Sequence, residues 1–310
     1  MRARLNIIVS TGHRDWVLGI LAGILARGIR GATPKIVEFP QSRRNTRNLR
    51  GSLYLPTAAH NVFLHQDLAL TAFQKGWLNK KTQNLLYVTH LTGDIKRYKV
   101  LQPFFKFVLH NNSQTYADFI DIGFAPESME VTPNPIDPIF ATQFSAKRTS
   151  DVVFVANYTQ RKRPDLLVGI VKSLCGVNFT LIGRGWIGTQ EYDELMPLKN
   201  FAYAEFEFES YPARLAQHKV FCTLSDLEGG PVPLLESLVA GLSVVATDTG
   251  TARDLTPASC RKFILPINPT VEMISQSILG ALKVDKPGFE SKKEYFYDGF
   301  VGFIDSKLNE

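Results

Sequence analysis

Short apolar runs alternate along this chain with stretches of roughly 3.6-residue periodicity, a pattern that predicts strands separated by helices. Residues 6–9 read as a first strand, residues 10–13 as a loop, and residues 16–27 as a helix. Further strands are expected at 35–39, 61–65, 85–90 and 107–111, with a helix at 113–122. The strand at 129–131 runs into Thr132-Pro133-Asn134-Pro135, where two prolines end any ladder. The pattern then restarts: strand 151–156, helix 164–174, strand 178–182, strand 201–203, helix 211–217 and strand 220–224. A helix after Pro231, an apolar strand beyond Gly241, a helix at 271–282 and an aromatic-rich tail at 295–303 complete it. The alternation predicts α/β architecture with parallel sheets. The stretch FATQFSAKRTSD lacks apolar periodicity, so a domain boundary is expected near it, giving domains at 1–140 and 141–290 with a last helix at 291–310.

Composition narrows this only a little. The chain has 310 residues, enough for two domains with proper cores, and its 45% hydrophobic and 21% charged content is that of a globular protein. No apolar run approaches the roughly 18–20 residues of a membrane span. The apolar stretch after Met1-Arg2-Ala3-Arg4 is too short for a signal-peptide core and reads as the first strand. Three widely spaced cysteines give neither a disulfide framework nor a zinc site, which points to a reducing, cytoplasmic setting. Charge is uneven. Residues 1–140 hold 17 Lys/Arg against 9 Asp/Glu, with clusters at Arg43, Arg44, Arg47, Arg50 and at Lys96-Arg97-Tyr98-Lys99. That half is either a solvated basic face or one attracted to an acidic substrate or a membrane surface, a peripheral contact. No nucleic-acid motif accompanies it.

The chemistry concentrates at residues 225–254. Glu228 precedes Gly229-Gly230-Pro231-Val232, and Glu236 follows about one turn into the predicted helix. Glycines let backbone approach a ligand, and a helix N-terminus favours a phosphate. Two carboxylates beside it suit a hydroxyl-rich, phosphorylated ligand. The same residue types also fit a capping acid and a surface helical glutamate.

This segment resembles the Glu-x7-Glu signature of retaining GT-B glycosyltransferases, the glycosyltransferase family 4-like group that includes sucrose synthase-like and phosphatidylinositol mannosyltransferase-like enzymes. It departs from the family pattern at Ser237, Val239, Ser243 and Thr251. Further matches stand in the family's order. Residues 155–167 resemble G-R-L-x-x-x-K-G-x-D-L-L, residues 181–185 resemble L-x-G-x-G, and residues 131–137 resemble V-I-P-N-G-V-D. Asn111-Asn112-Ser113 is similar to the family's N-S-x, and His90 to its strand-end histidine. The likeness covers about residues 85–255.

The resemblance implies two Rossmann-like domains facing across a cleft, the first on the acceptor side and the second holding a nucleotide sugar. The last helix would cross back to the first domain, its aromatics packing rather than touching ligand. Lys162, Glu228 and His90 are expected to be catalytic. Lys162 would neutralise the donor diphosphate together with the helix N-terminus, Glu228 would bind the donor sugar and Glu236 the ribose. Gly12, Asn157, Arg161, Gly183, Gly229, Gly230, Pro231, Val232 and Leu235 complete the donor site, Gly12 being preferred to His13. His60, His65, His110 and His218 lack metal-ligand spacing. No metal or cofactor is expected; the implied partners are a UDP- or GDP-sugar and a glycan or lipid-linked acceptor, not nucleic acid. The family's phosphate-binding arginine falls on Asn157, which supplies no charge, and Arg161 or Arg163 is placed to compensate. An epimerase or phosphorylase on the same fold, a non-catalytic glycan or nucleotide-sugar binder, and a structural partner in a polysaccharide assembly are the competing readings.

Overall fold

In a computed structural model that describes residues 2–11, 17–39, 54–91, 93–285 and 287–310, each apolar run above lies in one of two six-stranded sheets. Every strand pairing is parallel. Runs rich in Val, Ile and Leu, buried on both faces, are what parallel sheets covered by helices require. The chain forms two compact units, one of Met1–Pro135 with Lys293–Glu310 and the other of Ile136–Lys292. The division falls after Pro135, slightly before the expected residue 140, because Ile136 and Phe140 are fully buried and α4 (Ile139–Thr142) packs on α8 (Val232–Val239) of the second unit.

The first unit contains β1 (Ala3–Ser10), α1 (Val17–Gly28), β2 (Ala32–Phe39), β3 (His60–Phe63), α2 (Gln66–Gln74) and β4 (Gln83–Val88). A 3-10 run at Ile95–Phe104, β5 (Phe107–His110), α3 (Ser113–Asp121), β6 (Met129–Val131) and, from the chain's end, α11 (Tyr297–Asn309) complete it. The sheet order is β2-β1-β3-β4-β5-β6. Leu21, Leu25, Phe300, Ile304 and Leu308 cover one face; Leu68, Tyr98, Leu101 and Phe119 cover the other. α11 is fastened by Phe300 against Tyr87, Phe303 against Phe107, and an ion pair from Lys307 to Glu130 at 3.1 Å. Each of its buried apolar side chains stabilises the unit by roughly 1.5–3 kcal/mol.

The second unit adds β7 (Ser150–Val155), α5 (Pro164–Ser173), β8 (Phe179–Ile182), α6 (Gln190–Leu195), β9 (Phe201–Ala204) and α7 (Tyr211–Leu215). β10 (His218–Thr223), α8, β11 (Ser243–Thr247), α9 (Ala252–Leu255), β12 (Ile264–Leu265) and α10 (Val271–Ala281) follow. The order β12-β11-β10-β7-β8-β9 places β7 beside β10, so chain direction across the sheet reverses between them. Loops leaving the carboxyl ends of such neighbours diverge and leave a crevice, the usual ligand position in open α/β sheets.

Candidate functional site

The loops that leave β7 and β10 carry the residues the sequence singles out. The loop after β7 turns through a 3-10 step at Gln160–Lys162 and ends on Arg163 in the left-handed region (φ 54°, ψ 59°), after which Pro164 opens α5. The Asp226 amide donates to the Arg161 carbonyl at 2.9 Å, fastening the two loops together by their backbones. Lys162 Nζ is thereby set 2.5 Å from Glu228 Oε1, and Arg161 Nη1 lies 2.8 Å from the same oxygen. Arg161 also donates to the Leu227 carbonyl at 2.8 Å.

This cluster is largely withdrawn from water, with the side chains of Glu228 and Lys162 only 9% and 15% exposed. Burial alone would push the Glu228 carboxyl up. Lys162, with Arg161 behind it, outweighs burial and holds the carboxyl below its ordinary value. Glu228 is therefore ionised, and α8 has no side-chain cap, so the capping-acid reading of Glu228 does not hold. Arg163 is turned to partners outside the Lys162–Glu228 cluster. Asp165 takes it at 3.0 and 2.8 Å, Asp226 at 3.2 Å and Asn268 at 2.9 Å. Arg161 is the cation that joins Lys162.

Asn157 has a bracing contact instead of a charge: its Oδ1 accepts from the Arg184 amide at 2.9 Å. Gly183 explains why the β8 loop can sit so close. A Cβ there would meet the Ala156 carbonyl oxygen at 1.9 Å. On the other side, Gly250 (φ 55°) brings a third loop against the next segment, where a Cβ would stand 3.0 Å from the Gly229 backbone and 3.1 Å from Glu228 Cβ. The N-terminus of α8 is poorer in donors than its dipole suggests. Pro231 and Pro233 have no N–H and the Leu234 amide already donates to the Pro231 carbonyl, leaving Val232 to supply the first-turn amide of residues 231–234. Leu235 is buried in the core, so any part it has in binding runs through its backbone.

Glu236 is not a surface glutamate. It is 7% exposed on α8, and the Tyr211 hydroxyl donates to its Oε2 at 2.7 Å. Burial pushes its carboxyl up to about 7, the Tyr211 hydrogen bond opposing the rise and Asp137 adding to it. The sequence offered no signal for Tyr211, which reaches Glu236 from 25 positions away.

His90 belongs to the first unit, exposed just beyond the carboxyl end of β4. Its ring meets that of His65 edge-on at 5.8 Å, and its carbonyl accepts from Gln66 Nε2 at 2.5 Å. His65 itself caps α2, its Nδ1 accepting from the Asp67 amide at 3.1 Å. His110 is fully buried against Tyr116 and Phe119, and burial pushes it down to about 3, so it stays neutral. Gly12 and His13 lie outside the described residues, as do Arg43, Arg44, Arg47 and Arg50. In the other basic cluster Tyr98 is core and Arg97 pairs with Asp67 at 3.1 Å, which leaves Lys96 and Lys99 at the surface. Among the described residues no group of three or more His, Cys, Asp or Glu is arranged to hold a metal, and no helix is long and apolar enough to cross a membrane.

Comparison with known proteins gives the family and the fold. Residues 136–294 match the family described as glycosyl transferases group 1. Over 173 residues, 53% of the chain, the sequence is 28% identical to a subunit of the human phosphatidylinositol N-acetylglucosaminyltransferase. The match covers 35% of that relative, so the chain spans about a third of its length. Among solved structures, Anabaena HepE in complex with UDP and glucose is similar with a TM-score of 0.64 and 14% identity, over 99% of this chain and 95% of that one. The lipopolysaccharide outer core galactosyltransferase WaaB is similar with a TM-score of 0.69 and 12% identity, over 99% and 100%. For the sucrose-phosphate synthase of Thermosynechococcus elongatus the values are 0.65 and 12%, over 99% and 94%. The fold is thus that of GT-B glycosyltransferases.

Proposed function

Because the chain belongs to the glycosyl transferases group 1 family, we propose that it moves a sugar from a UDP-sugar to an acceptor hydroxyl with retention of anomeric configuration. The observation that carries this reading is the Lys162–Glu228–Arg161 cluster at the reversal between β7 and β10. Two cations around one carboxylate leave a surplus positive charge where the leaving diphosphate would develop its own. Preorganised charge of this kind is often the largest single contribution to catalysis, with one donor worth roughly 3–4 kcal/mol. Lys162 and Arg161 bind the diphosphate, Glu228 the hydroxyls of the donor sugar, and Glu236 the ribose. His90 is the candidate of the first unit for the acceptor side. Retention follows from attack on the same face of the sugar, assisted by the departing phosphate, so no paired-carboxylate geometry is needed. GDP-sugars are the second donor class, and a glycan or lipid-linked hydroxyl is the acceptor class; the basic first unit is offered to an anionic membrane surface.

The test is turnover of a panel of UDP- and GDP-sugars, read as release of free nucleoside diphosphate that requires added acceptor. Product anomers are then assigned by NMR. Release independent of acceptor, or an inverted anomer, overturns the reading. Asn157 favours one competing reading, a nucleotide-sugar binder without transferase activity, because its contact is a brace and adds no charge. Tight UDP binding with no transfer to any acceptor is the result that reading expects.

A further inference from the structure

Tyr211 lies in none of the motifs discussed above, yet among the described residues it makes the sole side-chain hydrogen bond to the second glutamate of the signature. From α7 its hydroxyl donates to Glu236 Oε2 at 2.7 Å. Its ring is met edge-on by Phe140 at 5.8 Å, and Phe140 is fully buried on α4, which packs on α8. Three elements therefore fix one hydroxyl against one carboxylate. Among the described residues Glu236 Oε1 accepts no hydrogen bond. That oxygen is not among the atoms sealed from solvent without a partner, so it is open to a donor arriving from outside the fold.

We propose that Tyr211 is a positioning residue for nucleotide binding: by fastening Oε2 it presents Oε1 of Glu236 to the vicinal hydroxyls of a nucleoside diphosphate. The inference rests on the ribose role proposed for Glu236. A purely structural contact, holding α7 on α8, would make a different pattern with pH. The titratable groups facing Glu236 are Tyr211 from α7 and Asp137 from the turn before α4. α4 and β11 contain no charged residue. On β10, His218 Nδ1 is held at the Arg214 and Leu215 carbonyls and Lys219 pairs with Asp151. Ribose hydroxyls donate to a carboxylate better than to a carboxylic acid, so affinity falls as pH falls through the Glu236 titration. The Tyr211 hydroxyl favours the ionised form. Removing it moves that titration to higher pH.

The experiment is calorimetric binding of UDP and of 2′-deoxy-UDP to the full chain between about pH 5.5 and 9, with GDP as the second base. Wild type, Tyr211→Phe, Phe140→Leu and Glu236→Gln are compared, each checked for folding by thermal unfolding. Tyr211→Phe is expected to weaken UDP about fivefold near neutral pH, with its acid limb displaced upward by about one pH unit and a smaller loss persisting at high pH, where the carboxylate is ionised but no longer held. It should also lose most of the preference for UDP over 2′-deoxy-UDP. Phe140→Leu, which loosens the ring but keeps the hydroxyl, should shift the profile the same way by less. Unchanged UDP affinity in Tyr211→Phe, or weakening by one constant factor at every pH, overturns the proposal; if that variant does not fold, an unshifted Phe140→Leu profile does so. Glu236→Gln separates the two levels. Wild-type affinity in Glu236→Gln, or no binding of UDP or GDP by the wild type, defeats the ribose reading and this inference with it. Weakened, pH-independent binding in Glu236→Gln beside an unshifted Tyr211→Phe profile defeats only the role of Tyr211.

Discussion

Lys162 and Glu228 meet in one mostly buried ion pair, Nζ to Oε1 at 2.5 Å, although 66 positions separate them in the chain. The pair joins the loop after β7 to the loop after β10, and both halves of it come from the segments that resemble family motifs. Its two members can be separated by mutation because Arg161 shares the carboxylate.

Lys162→Ala is expected to lower turnover at least ~100-fold, in line with loss of a preorganised charge at the leaving group. The fold should persist with stability reduced by about 1–3 kcal/mol, since Arg161 still offsets the buried Glu228 charge and the full cost of an unpaired one is roughly 3–5 kcal/mol. Steady-state rates and denaturant unfolding check the two parts separately. Near-normal turnover would remove Lys162 from the phosphate site.

Glu228→Gln should act in opposite directions on binding and on transfer. Freed of their carboxylate, Lys162 and Arg161 attract a diphosphate more strongly, so UDP should bind several-fold tighter, about three- to tenfold. Sugar transfer should fall because a neutral amide accepts the sugar hydroxyls less strongly and puts an NH2 donor where the carboxylate had its second oxygen. Calorimetry with UDP against turnover with the UDP-sugar gives the answer, and weaker UDP binding would contradict the charge argument.

Stability should fall in acid through the same residue. The Glu228 carboxyl is held below its ordinary 4.5, so its contribution is present above that value and is lost as pH falls through the lowered one. The acid limb of a stability–pH curve should flatten in Glu228→Gln. An identical limb in both proteins counts against an ionised, paired Glu228.

Arg163 holds a left-handed backbone and three partners at once, and two substitutions divide these duties. Arg163→Gly loses the contacts but relieves the left-handed backbone, whereas Arg163→Ala loses the contacts and keeps the strain. The alanine variant should be less stable by about 1 kcal/mol, a gap that thermal or denaturant melts resolve. Equal stability would mean that the backbone is not strained there.

Gly183→Ala places a methyl 1.9 Å from the Ala156 carbonyl oxygen, which is backbone and cannot swing away. A loss of roughly 3 kcal/mol or more is expected, with nucleotide affinity falling alongside. A melting point close to wild type would show that the two loops have room to part.

Much of this was legible in the sequence because it depends on local pattern. The apolar runs predict the strands of both sheets, and Glu228-Gly229-Gly230-Pro231 predicts the loop that precedes α8. α2 was missed since its opening residue is His65, which replaces the usual Ser, Thr, Asp or Asn cap and reads as the end of the preceding strand. The partners of Arg163 were missed for another reason. Asp226 and Asn268 lie 63 and 105 positions away, and nothing in a helix or strand period connects them. Tyr211 was hidden similarly, its hydroxyl aimed by tertiary packing of Phe140 rather than by any motif.

The partly buried Lys162 ammonium also has a kinetic consequence. Stripping water from an ammonium is costly, and in this protein folding has already done most of it, with Glu228 as a resident counter-ion. An anion arriving at Lys162 exchanges places with a carboxylate instead of with a hydration shell. If Lys162 binds the diphosphate as proposed, its capture is a swap between two negative charges, in which Glu228 must turn aside.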